Sequence, residues 1–256
     1  ENEFATQLIA QRPSLVVLTH ASNVTGRVQP VQRLAQLAHE AGAKVLLDAA
    51  QTVGHHPVSM VELDVDFLAV AGHKGLLGPL GTGLLAIQAG LDTSVRPLRF
   101  GGTGTASESL EQPESMPSRF ESGNMNLPGI AGLHAAVSWL TSPSATIAHE
   151  RLHGQVLQLR NELAGIRGVK VITPDSDDVV PLVTIAFENH DCRDVAMILD
   201  QSFEIQSRAG FHCAPLAHQT LGTFDSGGAL RLSPGVFTND EEITAVIDAV
   251  RQIAMS

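Results

Sequence analysis

Short apolar runs alternate with helical stripes through the first third of the chain. Leu15-Val-Val-Leu18, Lys44-Val-Leu-Leu47 and Phe67-Leu-Ala-Val-Ala71 are each too short for a stable helix, and polar or glycine-bearing segments bound them. Such runs predict buried strands. Between the first two, Val31, Leu34, Leu37, Ala38 and Ala41 recur at helical spacing and Gly42 follows as a stop, so a helix is predicted over 30–41. Val58 to Leu63 reads as a second, short helix. Strand, helix and strand at this spacing argue for an α/β fold with a mainly parallel sheet and flanking helices. Right-handed crossovers then gather the carboxyl ends of the strands on one edge, the usual place for a ligand. Gly83-Leu-Leu-Ala-Ile87 reads as a further strand, antiparallel to its predecessor through the glycine-rich turn from Gly75 to Gly81.

The pattern changes farther on. Residues 101–124 are rich in Gly, Ser, Thr, Glu and Pro and carry no period, which marks a functional or mobile loop. A helix is predicted from Pro128 to Leu140, with proline in its first turn, and a long amphipathic one over 145–166. Strands at Val169–Ile172, Val179–Phe187, around Ile205 and at Ala229–Ser233 then mix with helices over Arg193–Leu199 and Asp240–Ile253. Thr238-Asn-Asp240 is a suitable N-cap site, with Glu241 and Glu242 in the favourable first turn. Strands and helices in this order suggest a small α+β C-terminal domain, with residues 1–144 forming the large domain and 145–256 the small one.

Composition narrows the partners. With 16 basic against 27 acidic residues and a formal net charge of -11, the chain offers no footprint for nucleic acid or an anionic membrane. No apolar stretch reaches the roughly 20 residues that span a bilayer, and Glu1-Asn-Glu-Phe4 does not begin a signal peptide. A soluble, cytoplasmic protein is the expectation. The chain starts without methionine and enters Leu15–Leu18 almost at once, so it reads as the later part of a longer protein. Two cysteines, Cys192 and Cys213, give no disulfide framework and no metal knuckle, but leave room for a reactive thiol.

Lys74, in Gly72-His-Lys74 after the third apolar run, is the candidate for a Schiff base with pyridoxal phosphate. At a buried strand end, desolvation lowers an amine's pKa and makes it nucleophilic toward an aldehyde. Asp48 ends the neighbouring run and can pair with the cofactor's pyridinium nitrogen, keeping the ring an electron sink. An isolated aspartate there would more often cap a turn. Asn23 also follows an apolar run directly, so the three can converge on one edge. The His55-His56 pair lacks metal-ligand spacing, and no metal is expected. Gly101-Gly-Thr-Gly104, without a strand and a helix on either side, reads as loop flexibility.

Ser22-Asn-Val-Thr-Gly26, Leu47-Asp-Ala-Ala-Gln51, Gly72-His-Lys74, Arg119-Phe-Glu-Ser-Gly123, Arg208-Ala-Gly-Phe-His-Cys-Ala-Pro215 and Arg231-Leu-Ser-Pro-Gly235 occur in a telling order. Together they resemble the class V aminotransferase superfamily, and within it the cysteine desulfurase and selenocysteine lyase branch. The resemblance covers nearly the whole chain and lacks the family's N-terminal part. It implies the fold type I of pyridoxal phosphate-dependent transferases. It also implies the removal of sulfur from a small cysteine-like amino acid, giving alanine and a persulfide on Cys213. Gln51 then resembles the residue facing the cofactor's phenolate oxygen, His73 a phosphate ligand, and Asn23 a contact to the ring or substrate. Arg231 resembles the arginine for the substrate α-carboxylate, a task suited to a planar guanidinium. Arg208 would help position the substrate, and Arg208 and His212 could stabilise a Cys213 thiolate. The family pattern is broken where Ala71 replaces a phosphate-facing Ser or Thr, and where Asn124 replaces a threonine reaching the partner subunit's phosphate. A homodimer and a sulfur-acceptor protein are implied partners. Another class V enzyme, acting as aminotransferase, epimerase or lyase, and an inactive scaffold remain alternative readings. Cys192 lacks any such motif and reads as structural.

Overall fold

The computed structural model describes residues 1–106 and 108–255. They form two compact units, one made of Glu1–Leu18, Pro30–Ala50 and Val58–Ser138, the other of Thr19–Gln29, Gln51–Pro57 and Trp139–Ser256.

In the first unit, α1 (Asn2–Gln11) precedes β1 (Leu15–Thr19), α2 (Val31–Glu40), β2 (Lys44–Asp48), β3 (Phe67–Ala71) and β4 (Gly83–Ile87). The sheet order is β1-β2-β3-β4; β2 and β3 run parallel with Asp48 opposite Ala69, and β4 is antiparallel to β3. The α2 stripe buries Val31, Ala35 and Ala38 as its period requires. Asp66, 2% exposed just before β3, ties the layers together. It accepts from His39 Nε2 at 2.8 Å on α2, and from Lys44 Nζ at 2.9 Å and Val45 N at 2.7 Å on β2. Burial alone would raise its pKa, but these hydrogen bonds hold it below the ordinary aspartate value.

The segment Val58–Leu63 is a series of turns, not the predicted helix. Leu63 N makes the one helical-type return, to Ser59 O, among the described residues of the segment, and Asp64 follows at φ 53°. So short a run does not recover the cost of helix nucleation. The α1 helix was not predicted, and it buries Leu8 alone.

The second unit holds α4 (Pro143–Ala164), β5 (Val169–Val171), β6 (Val183–Phe187), α5 (Cys192–Phe203), β7 (Arg208–Gly210), α6 (Pro215–Leu221), β8 (Ala229–Leu232) and α7 (Asp240–Ala254); α3 (Leu127–Leu140) precedes them. Its sheet, ordered β5-β6-β8-β7, is antiparallel throughout. Leu159 and Leu163 of α4, Leu199 of α5 and Val250 of α7 close over Ile185 and Leu230 of that sheet in one apolar core. At the α7 start, Asn239 and Glu242 form a reciprocal capping box, within the predicted cap site.

Three boundaries move. The strand predicted from Val179 begins at Val183, because Pro181 intervenes and Val179 only bridges to Arg27. Ile205 is not in a strand. Glu204 takes φ 56° and both its N–H and that of Ile205 return to Leu199 O, so the pair caps α5 and the strand starts at Arg208. The segment after Cys213 is helical as α6, with Pro215 in its first turn and Gly222 closing it at φ 71°.

Candidate active site

The parallel pair β2 and β3 delivers Asp48 and Lys74 from neighbouring strand ends in the first unit. Ala49 N donates to Ala69 O, continuing the ladder past Asp48. Beyond Ala71 the chain enters a tight turn, where Gly72 N donates to Thr82 O and Gly78 N to Gly72 O at 2.7 Å. Glycine is required by close approach: a Cβ on Gly72 would collide with the Thr82 side chain, and one on Gly78 would lie 2.8 Å from Gly72 O. Helix α3 braces the turn, since a Cβ on its Gly132 would sit 2.6 Å from Pro79 Cγ. Lys74 is thus carried on a firmly folded turn.

Lys74 is exposed, not desolvated as the sequence suggested, because it lies beyond the end of β3, between the buried Gly72 and Gly75. Among the described residues its ammonium has no hydrogen-bond or ion-pair partner. The half-buried Asp48 accepts from Ala50 N at 3.0 Å, the turn-cap contact weighed above, and no cation pairs with it among the described residues. His73 and Asn124 are exposed, and Ala71 brings no hydroxyl to the strand end. An amine on the turn after β3 and a carboxylate at the end of the neighbouring β2, neither ion-paired among the described residues, are groups of the kind that an aldehyde cofactor carrying a ring nitrogen calls for.

The second unit gathers the residues expected to handle substrate and sulfur. Arg208, at the start of β7, donates from its guanidinium to Cys213 Sγ at 3.2 Å. The Cys213 loop is held by two further contacts: His212 Nε2 meets Arg208 O at 3.0 Å, and Asn23 Nδ2 donates to His212 O at 2.6 Å. Asn23 also accepts, through its carbonyl, from Arg231 at 2.9 Å. One loop residue therefore clips the cysteine loop to the β8 arginine. His212 and Cys213 lie at φ 50° and 61°, a left-handed pair that costs non-glycine residues about 1–2 kcal/mol each. Such strain persists only where surrounding contacts fix it.

Arg231 is half-buried, its Nε has no partner, and no carboxylate pairs with it among the described residues. Burial, and then the Arg208 charge, push its pKa below the ordinary arginine value, while Cys213 opposes them. A guanidinium in this condition calls for an incoming anion. Gln51, half-buried, lies in the same unit. Cys192 is 4% exposed in the apolar core, and burial raises its thiol pKa, as suits a structural residue.

His212 is not the partner of the cysteine sulfur. Its Nε2 faces Arg208 O, its Nδ1 has no hydrogen bond, and burial keeps its pKa low. Sequence reasoning also missed His218, fully buried on α6, whose ring lies 5.5 Å from that of His212. The signal was present in Pro215 and Gly222, the two ends of a short helix that would have placed His218 inward.

The class-V aminotransferase family model matches residues 1–246, and the chain belongs to that family. A probable cysteine desulfurase of Methanothermobacter thermautotrophicus is 35% identical over 94% of this chain and 60% of its own length. A probable cysteine desulfurase of Vibrio cholerae is 32% identical over 96% and 60%, respectively. Among solved structures, the apo cysteine desulfurase of Thermococcus onnurineus NA1 superposes with a TM-score of 0.85 at 30% identity, covering 94% of this chain and 60% of its own. The cysteine desulfurase CsdA of Escherichia coli gives 0.84 at 28%, covering 98% and 62%. The chain spans about 60% of the length of the curated relatives it matches. Class V aminotransferases and cysteine desulfurases depend on pyridoxal phosphate, and these neighbours support the expected fold type I.

Proposed function

We propose that this chain carries the lysine-, carboxylate- and cysteine-bearing part of a pyridoxal phosphate-dependent desulfurase acting on L-cysteine or a close analogue. The observation that supports it most is the Cys213 sulfur, 3.2 Å from the Arg208 guanidinium on a strained turn clipped to an arginine without a counterion. When bound, pyridoxal phosphate supplies an electron sink for charge developing at the substrate α-carbon.

Lys74 Nζ would hold the cofactor aldehyde and would move the substrate α-proton. Asp48 would serve the ring nitrogen, Gln51 the phenolate oxygen and His73 the phosphate. Asn23 lies toward the ring and substrate. Asn124 serves the phosphate across a homodimer, where its amide can donate as the family's threonine hydroxyl does. Arg231, whose Nε has no partner among the described residues, would take the α-carboxylate, and Arg208 would help to orient the substrate. Cys213, as thiolate, attacks the substrate sulfur. The new S–S bond forms as the C–S bond breaks; that bond's electron pair stays with carbon, which is protonated to give alanine. The persulfide on Cys213 then passes its outer sulfur to an acceptor.

Cys213→Ser is the test. Alanine formation from cysteine is expected to fall by on the order of 10³-fold, because no nucleophile remains to take the sulfur. Unchanged alanine production by the variant would end the desulfurase reading.

A further inference from the structure

Four imidazoles that the proposed reaction does not use line one cavity of about 90 Å³ within the second unit. His55 and His56 come from the 51–57 segment, and His149 and His153 from α4, where a spacing of four sets them on one face. Leu152 and Val156 supply apolar wall. His149 meets Ala145 O with Nδ1 at 2.8 Å and Gly54 O with Nε2 at 2.7 Å. Carbonyl oxygens only accept, so both contacts are hydrogen bonds when the ring carries both protons, and the two carbonyls favour the cation. The His55 ring lies 6.2 Å from that ring, edge to face, and its buried Nδ1 has no hydrogen-bond partner among the described residues. A buried polar atom of this kind calls for a partner. The cavity is several times the roughly 10–15 Å³ that one water needs, so it has room for a larger polar guest.

We propose that this cavity binds a small inorganic oxyanion, held by the His55 ring beside the His149 charge and taken up together with a proton on His55. The lining suits a negative guest. No carboxylate lines the cavity among the described residues, and Glu150, Asp177 and Asp178, on the same segments, are exposed. His56 donates Nε2–H to Val179 O at 3.1 Å, so it gains a second donor only when charged. His20, 4% exposed, adjoins His56 but is turned to Thr52 Oγ1 at 2.9 Å, and His153 is exposed. Burial, and then the charges of His149 and His56, lower the His55 pKa to about 4. An anion beside the ring offsets those causes, so anion and proton each strengthen the binding of the other. Neither cofactor nor turnover enters this binding.

The test is a ring-proton NMR titration of this chain in sodium sulfate and in sodium chloride at equal ionic strength, with His55 identified through its connections to the backbone. Sulfate is expected to move the His55 midpoint up by about one pH unit, saturably, as a tenfold preference for the charged ring requires. Chloride, which offers one acceptor atom and not four, should move it much less. Calorimetry should find one sulfate per chain, bound about threefold more tightly at pH 4.5 than at pH 7 by the same linkage. His55→Phe is expected to weaken binding about 10- to 100-fold, the range for a hydrogen bond to a charged group. His149→Gln, which keeps a donor for Gly54 O without the charge, should weaken it about tenfold. A midpoint that sulfate leaves in place would mean that water alone fills the cavity, and equal, unsaturated shifts in sulfate and chloride would mean screening alone. Full-strength binding to folded His55→Phe and His149→Gln would put the ion elsewhere. Each of these results would overturn the site, and the wild-type titration decides it even where a variant does not fold.

Discussion

Lys74→Ala is expected to abolish the pyridoxyl adduct that borohydride fixes on the protein, and to lower alanine formation by on the order of 10³-fold or more. The chain has only three lysines, which makes the test sharp. Lys44 is committed to Asp66 at 2.9 Å, and Lys170 lies on β5 in the antiparallel sheet of the second unit. Lys74 alone stands on a turn after a parallel strand, with a carboxylate at the end of the neighbouring strand. Peptide mapping after reduction should therefore place the adduct on the peptide holding Gly72-His-Lys74. An adduct on Lys44 or Lys170 would overturn the assignment, and so would one that survives Lys74→Ala. Asp48→Ala should leave the adduct in place while slowing turnover, since the carboxylate serves the ring nitrogen and not the covalent bond.

Acid should destabilise the second unit through its buried histidines. His55 has a pKa lowered to about 4, first by burial and then by the charges of His149 and His56, and burial also lowers those of His20, His212 and His218. The sign follows from proton counts. An unfolded histidine binds its proton near pH 6.5, whereas these folded ones resist it, so the unfolded state holds more protons between the two pKa values. Stability is full above about pH 6.5 and declines as pH falls toward 4. His55 alone is worth about 3 kcal/mol across that window, a large share of a typical domain's stability. Urea unfolding at pH 7.5 and pH 5 should show a clear drop in midpoint. His55→Phe should flatten the dependence by removing the largest shifted group. A midpoint that is the same at both pH values would contradict the buried neutral state of these rings.

Much of this was legible in the chain itself. The apolar runs ending at Leu47 and Ala71 are strands whose residues largely enter the core, and they placed Asp48 and Lys74 beyond neighbouring strand ends; the run ending at Leu18 is a strand too, but an edge one that leaves Leu15 and Val17 exposed instead of buried as expected. The capping box at Asn239 and Glu242 is local chemistry, and local chemistry is readable in order. What escaped depended on long-range contact. Asn23 gave no sign that it would clip residues 189 and 208 positions away, His212 and Arg231. His218 sat in a stretch that looked irregular, and its burial comes from the short helix α6 that Pro215 and Gly222 bound. The exposure of Lys74 could not be read either, because a strand's last residue does not say which way the following turn will face. A strand was expected around Ile205, yet the left-handed Glu204 before it made the residue part of a helix cap. There a tertiary choice overrode propensity.

The most direct measurement follows the sulfur. The protein is incubated with pyridoxal phosphate and cysteine, without an acceptor thiol, then alkylated, digested and mapped by mass. One extra sulfur atom is expected on the peptide that holds Cys213, in amounts matching the first alanine formed, with the peptide of the buried Cys192 unchanged. Alanine appearing while Cys213 stays unmodified, or the extra sulfur arriving on Cys192, would contradict the assignment of Cys213 as the sulfur-taking group.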